Sequence, residues 1–275
     1  MKSFVTAMLS LATALLVCGA AQAAPPTVNY SDQWWNPNES GWGASISQQN
    51  DLLFVTLLVY AANSQPSWYT AVLVYSAEAS GAAQADVFEG DLYVTTGPWF
   101  GSMFDPASVT ARKVGIATFN ASSSTAASLR YAIDGTAVAK DLVRLTLRTV
   151  NNSGHYLGAI SLIASCGAGV IVSRQNTAGI GITQSANGIQ IQISDVGTPR
   201  NCTYIGSYTQ KGQVADIEGP YSCDTGETGS FHISELQSSI NGFMGSFEAA
   251  WKSVDVQPGA ACAGTGTIAG AWSGD

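Results

Sequence analysis

Positive charge is what this chain has least of. Between Thr27 and Ala111 there is no Lys or Arg, while Asp32, Glu39, Asp51, Glu78, Asp86, Glu89, Asp91 and Asp105 fall in the same stretch. Removing Lys2 with a leader leaves ten basic against nineteen acidic residues. Such a surface repels phosphates, so nucleic acid and anionic membranes are excluded as partners. Histidine is nearly missing too. Only His155 and His232 occur, and neither stands in a G-x-S-x-G elbow, an H-E-x-x-H pair or another nucleophile motif. His232, in "GSFHISEL", reads as an exposed strand histidine, and no catalytic residue is assigned. There is no CxxC pair, and "DTGETG" (224–229) offers oxygen ligands without EF-hand spacing, so it reads as a turn. Neither a metal nor a cofactor is expected.

Long apolar runs are confined to the beginning. "FVTAMLSLATALLV" follows Lys2 and precedes "AQAAPP", so residues 1–24 read as a secretory signal peptide cut near Ala23 or Ala24. "LLVCG" puts Cys18 after a leucine pair, but Val17 stands where a lipidation motif requires Gly, Ala or Ser, so no lipid anchor is expected. No later run is long enough to span a bilayer as a helix. The expected location is secreted or periplasmic. The first half of the exported chain has no cysteine, whereas Cys166, Cys202, Cys223 and Cys262 lie in the second. An even number in an exported chain points to two disulfides. Four cysteines allow three pairings, of which the local pairs Cys166–Cys202 and Cys223–Cys262 are favoured here.

Helix signals are nearly absent, and strand signals fill the space. "LLFVTLLVYAA", "SWYTAVLVYSA", "DLYVTTG", "ARKVGIATFNA", "ASLRYAI" and "VAKDLVRLTLR" are rich in β-branched and aromatic residues, with Gly, Pro, Asn, Asp and Ser between them. In "SLRYAI", Leu129, Tyr131 and Ile133 face one way, and Asp134-Gly135 follows as a hairpin turn. The second half repeats the style around Asn187-Gly188 and Asn241-Gly242, with Phe231, Ile233 and Leu236 on one strand and Phe243, Gly245 and Phe247 on the next. The chain is therefore read as all-β, with two tandem antiparallel meander modules closed as up-and-down barrels. β-Sandwiches fit the same alternation. "VNNSG" divides an aromatic-rich module, residues 25–150, from a disulfide-containing one, residues 151–275.

These residues carry a resemblance. "WWNPNESGWG", "PSWY", "DLYVTTGPWFGSMFDP", "VTARKVGIATF" and "LRYAIDGTAVAKDLVRLTL" resemble an uncharacterised module family of exported proteobacterial proteins. "CTYIGSYTQKGQVADIEGPYSC" and "GSFHISELQSSINGF" are similar to a cysteine-containing companion module often found after it. The resemblance implies an exported β protein and names no reaction. One departure is "LLVYAAN", apolar where relatives carry a Trp and an acidic turn. A weaker architectural similarity, to avidin-like and lipocalin-like barrels, concerns fold alone.

Aromatics supply the candidate site. Trp34, Trp35, Trp42, Trp68 and Trp99 all fall in the first module. Trp42, between Gly41 and Gly43, reads as structural. Trp34 and Trp35 are neighbours on an extended segment, so one is buried while the other stays available. "GPWFG" offers Trp99 and Phe100 on a loop. Together Trp34, Trp35, Glu39, Trp68, Tyr69, Trp99 and Phe100 form the expected ligand-binding set, with a glycan or a small apolar molecule as ligand. The expected function is that of an exported, non-enzymatic binding protein of the cell envelope or extracellular space. Two rivals stand beside it. One is a secreted hydrolase using Glu39 with Asp51 or Asp91. The other is an adhesin or inhibitor that meets an envelope or host protein through its surface.

Overall fold

Alternating burial runs along almost every strand, and it closes the chain into two eight-stranded antiparallel barrels in tandem. The computed structural model describes residues 26–254 and 258–274. The stretch expected to be a signal peptide, with Lys2 and Cys18, lies outside the described residues. Closure of each ladder on itself decides for barrels over open, stacked sheets.

The first barrel comprises β1 (Asp32–Trp35), β2 (Gly43–Gln49), β3 (Leu52–Tyr60), β4 (Pro66–Tyr75), β5 (Asp86–Thr96), β6 (Thr110–Ala121), β7 (Ala126–Ile133) and β8 (Thr136–Arg144). Pairing of β1 with β8 shuts it. Leu53, Leu57, Leu73, Phe88, Leu92, Phe119, Leu129 and Leu142 fill the interior with Trp34. Gly115 has no side chain because a Cβ there would collide with the Ala132 carbonyl, so the backbones touch where the wall bends. Asp134 and Gly135 both have positive φ, 47° and 87°, as a type I′ hairpin demands. One short helix departs from the strand-only expectation. This is α1 (Ala77–Ala83), whose N-cap Ser76 accepts from the Ala79 N–H.

The second barrel comprises β9 (Gly154–Cys166), β10 (Val170–Gln184), β11 (Gly188–Asp195), β12 (Asn201–Lys211), β13 (Val214–Cys223), β14 (Thr228–Ser239), β15 (Gly242–Lys252) and β16 (Ala261–Gly274), closed by β16 on β9. Phe231, Ile233 and Leu236 all point inward although the last breaks strict alternation. A bulge explains it: Glu235 sits at φ 55° and the pairing slips between Ser234 and Gln237.

The disulfides require a correction. They join Cys166 to Cys262 and Cys202 to Cys223, not Cys166 to Cys202 and Cys223 to Cys262. Barrel closure lays the first and last strands of the module side by side, so Cys262 stands opposite Cys166, and Cys202 stands opposite Cys223 across β12 and β13. Adjacency across a ladder, not along the chain, selects the partner.

Where the barrels meet, Arg144 and Asp32 form an almost fully buried ion pair at 3.1 Å. The guanidinium also donates to the Asn29, Ser31 and Ser124 carbonyls. The Asp32 carboxylate in turn accepts the Gln213 N–H of the second barrel at 2.8 Å. Residues 145–153 continue along that barrel, tied down through Gln210 to Val150 and through Gln184 to Asn152.

Candidate functional site

The antiparallel register sorts the loops of the first barrel by end. Residues 36–42, 61–65 and 97–109 and the Asp134-Gly135 turn gather at one end; α1 and the 50–51 and 122–125 turns lie at the other. Interior residues nearest the loop end, namely Trp42, Val59, Tyr69, Val94, Tyr131 and Ile133, are partly exposed. One layer deeper, Leu57, Ala71, Leu92 and Leu129 are buried. The loop end therefore presents a partly open layer of aromatic and apolar side chains over a buried core, termed the cup.

Polar groups ring this cup. Alternation on β8 turns Lys140 inward above Leu142, and Lys140 donates to both carboxylate oxygens of Glu39 at 2.8 Å. Glu39 also accepts the Trp42 indole N–H at 3.0 Å, and the Lys140 ammonium lies 5.9 Å from the centre of the Trp42 ring. Arg112 grips Asp134 with two bonds of 2.6 and 3.0 Å. Burial, followed by the charge of Glu39, raises the pKa of Tyr131 and keeps its phenol protonated. Hydrogen bonding from Lys140 holds the Glu39 carboxyl below its ordinary range. Glu39 is thus an ionised acceptor that fixes Trp42 and Lys140 in place.

A pH prediction follows from that direction. A depressed carboxylate pKa favours the folded pairing above the free-glutamate value of about 4.3 and loses that contribution as pH falls through the lower folded value. The indole 15N–1H resonance of Trp42 should hold constant from about pH 8 to about pH 5 and move only below about pH 4. Movement near neutrality would contradict the pairing.

The expected ligand-binding set divides between core, cup, outer wall and loop. Trp34 is 1% exposed, its indole N–H bound to the Tyr30 carbonyl and its ring edge-on to Phe119 at 5.2 Å; it belongs to the core. Trp35, half-buried, points the opposite way, as an extended segment requires. Glu39 and Tyr69 belong to the cup, whereas Trp68 is exposed on the outer wall of β4. Trp99 and Phe100 lie on the 97–109 loop, 69% and 93% exposed, with ring centres 5.7 Å apart. Tyr131, Lys140 and Arg112 join the cup unanticipated; alternation through Leu129 and Leu142 was the signal for the first two. The carboxylate pairs of the hydrolase reading are not brought together. Asp51 sits in the turn at the far end of the barrel, and Asp91 faces outward, paired with Lys113 at 2.7 Å.

The second barrel holds its own polar cluster inside the disulfide end. Glu227, the last acid of "DTGETG", is 2% exposed and accepts from Arg174, Arg200 and the Tyr221 hydroxyl. Asp195 pairs with Arg200 and accepts from Asn176. Arg174 lies 5.0 Å from the Trp251 ring centre. Burial pushes the Tyr204 phenol up to about 12 and raises Tyr221 further. Two cations against two anions make a neutral, mutually satisfied plug. Among the described residues, no group of three or more His, Cys, Asp or Glu is placed to hold a metal ion, and no helix is long and apolar enough to cross a membrane.

The chain matches no protein-family model and no curated protein.

Proposed function

We propose that this is an exported, non-enzymatic binding protein of the cell envelope or extracellular space, and that it holds a carbohydrate at the loop end of its first barrel. The signal-like leader and the two disulfides support export into an oxidising compartment. One observation carries the site: segments far apart in the chain bring Trp42, Tyr69 and Tyr131 together around the Glu39–Lys140 pair, at the same barrel end as the loop that exposes Trp99 and Phe100. Flat ring faces beside fixed donors and acceptors suit the alternating apolar faces and hydroxyl edges of a sugar. A purely apolar guest would desolvate the Glu39–Lys140 and Arg112–Asp134 pairs without adding a hydrogen bond to either. The proposed membership of an exported proteobacterial module family fits this reading and adds no reaction to it.

Titration of the folded, disulfide-bonded chain with a panel of soluble oligosaccharides, followed by tryptophan fluorescence and calorimetry, tests the proposal. A saturable response is expected that Trp99→Ala and Tyr131→Ala each weaken about tenfold, the size of one lost stacking contact, while the melting temperature of Trp99→Ala is unchanged. No response to any saccharide, or binding indifferent to both substitutions, would overturn it.

A further inference from the structure

The outer wall of the first barrel carries apolar side chains where solvent-facing strand positions are ordinarily polar. On β3 and β4 the outward residues pair across the ladder as Leu52 with Val74, Phe54 with Val72, Thr56 with Thr70 and Leu58 with Trp68. The six apolar members of these pairs are between 37% and 52% exposed. At that exposure they present roughly 500 Å² of apolar surface, at the upper end of the largest patch on an ordinary monomer. That area equals the apolar share of the roughly 800 Å² that each partner gives to a standard protein interface.

We infer that this face is the contact between two copies of the chain, related by a twofold axis running along the strands between β3 and β4. That axis lays β3 of one copy over β4 of the other at the same height. Phe54 then meets the partner's Val72 and Trp68 meets the partner's Leu58, a large residue over a smaller one in each case. Thr56 meets the partner's Thr70, so the polar rung is matched to itself. Every contact occurs twice, as an isologous interface requires. The borders agree. Beyond β4 the outward residues of β5 are acidic, Glu89 opposite Val74 and then Asp91, whereas beyond β3 those of β2 are Ser45, Ser47 and Gln49. The same axis places the acidic border of each copy over the hydroxyl and amide border of the other. A perpendicular axis would instead lay the acidic β5 border of each copy over that of the other, where the one nearby ammonium, Lys113, is already paired with Asp91 and Glu89 has no such partner among the described residues. The lack of Lys and Arg from 28 to 110 disfavours an anionic lipid surface as occupant.

Sedimentation velocity of the disulfide-bonded chain at concentrations up to about 100 μM tests this. The wild-type chain is expected to sediment as a dimer. Phe54→Glu and Val72→Lys, each outward-facing, are each expected to give folded monomers with unchanged circular dichroism. An equimolar mixture of the two is expected to dimerise again, because the new carboxylate of one copy faces the new ammonium of the other. A wild-type chain that stays monomeric would overturn the inference, as would a dimer that survives both substitutions. A wild-type monomer that instead floats with phosphatidylcholine vesicles would overturn it in favour of a membrane surface. A mixture that stays monomeric would refute the proposed axis. None of these outcomes depends on saccharide binding, so the site in the cup stands or falls separately.

Discussion

Replacing Cys166 and Cys262 together with serine should cost the second barrel about 5 kcal/mol, the chain-entropy value for a closed loop of nearly 100 residues. The separation of 96 residues between the two cysteines spans almost the whole module, so this bond constrains nearly every strand of the unfolded barrel. Cys202–Cys223, with a separation of 21, should be worth about 3 kcal/mol by the same reasoning. The order of the two is the informative part. The local pairs expected from the sequence would have enclosed loops of similar length and nearly equal worth. Guanidinium denaturation of the two double mutants, with the refolded wild type alongside, checks the ranking. Equal losses, or a larger loss at Cys202–Cys223, would contradict the observed connectivity or its energetic reading.

Glu227→Ala should destabilise the same barrel by about 3–5 kcal/mol, the cost of stripping one partner from a buried ionic cluster. The deletion removes the acceptor for Arg174, Arg200 and Tyr221 at once and leaves two partly buried guanidinium groups facing each other across it. Arg174 also covers Trp251, whose indole N–H has no hydrogen-bond partner among the described residues, so a displaced Arg174 exposes that ring. Glu227→Gln keeps an acceptor for the tyrosine but loses the charge, and should fall between wild type and alanine. Urea unfolding followed by the indole 15N–1H resonance of Trp251 distinguishes the three. A loss below about 1 kcal/mol in the alanine variant would place the cluster with surface ion pairs, which contribute little.

Much of this architecture was legible because a barrel wall repeats one simple rule. Apolar residues at every second position face in, and "SLRYAI" followed by Asp-Gly announces strand, inward face and turn together. Where two local signals compete, the rule weakens. The bulge at Glu235 lets Leu236 point inward, which follows from a positive φ that no pattern of residue types prescribes. The short helix at Ala77–Ala83 had its cap signal at Ser76, but its alanines carry no apolar stripe to mark it.

The partners of the charged interior were not legible. Lys140 and Arg144 on β8, and Arg174 on β10, alternate with apolar residues that themselves face in or out, and composition alone would put every one of them in solvent. Their partners arrive from remote segments: Glu39 reaches Lys140 across 101 residues, and Asp32 reaches Arg144 across 112. Disulfide connectivity failed for the same reason, since closure of the ladder is a global event. The candidate site shared both fates. Its exposed loop aromatics stand out in the sequence, and alternation carries Tyr131 and Lys140 inward with Leu129 and Leu142, whereas Trp34 was absorbed by the core and Arg112 entered only through the register.

Hydrogen–deuterium exchange of the protein, with and without a saturating saccharide from the titration panel, tests the binding site most directly. Slowed exchange is predicted in residues 36–42 and 97–109 and at the Asp134-Gly135 turn, with the second barrel unchanged. Protection confined to the second barrel, or spread over the far end around α1, would contradict a binding site at the loop end of the first.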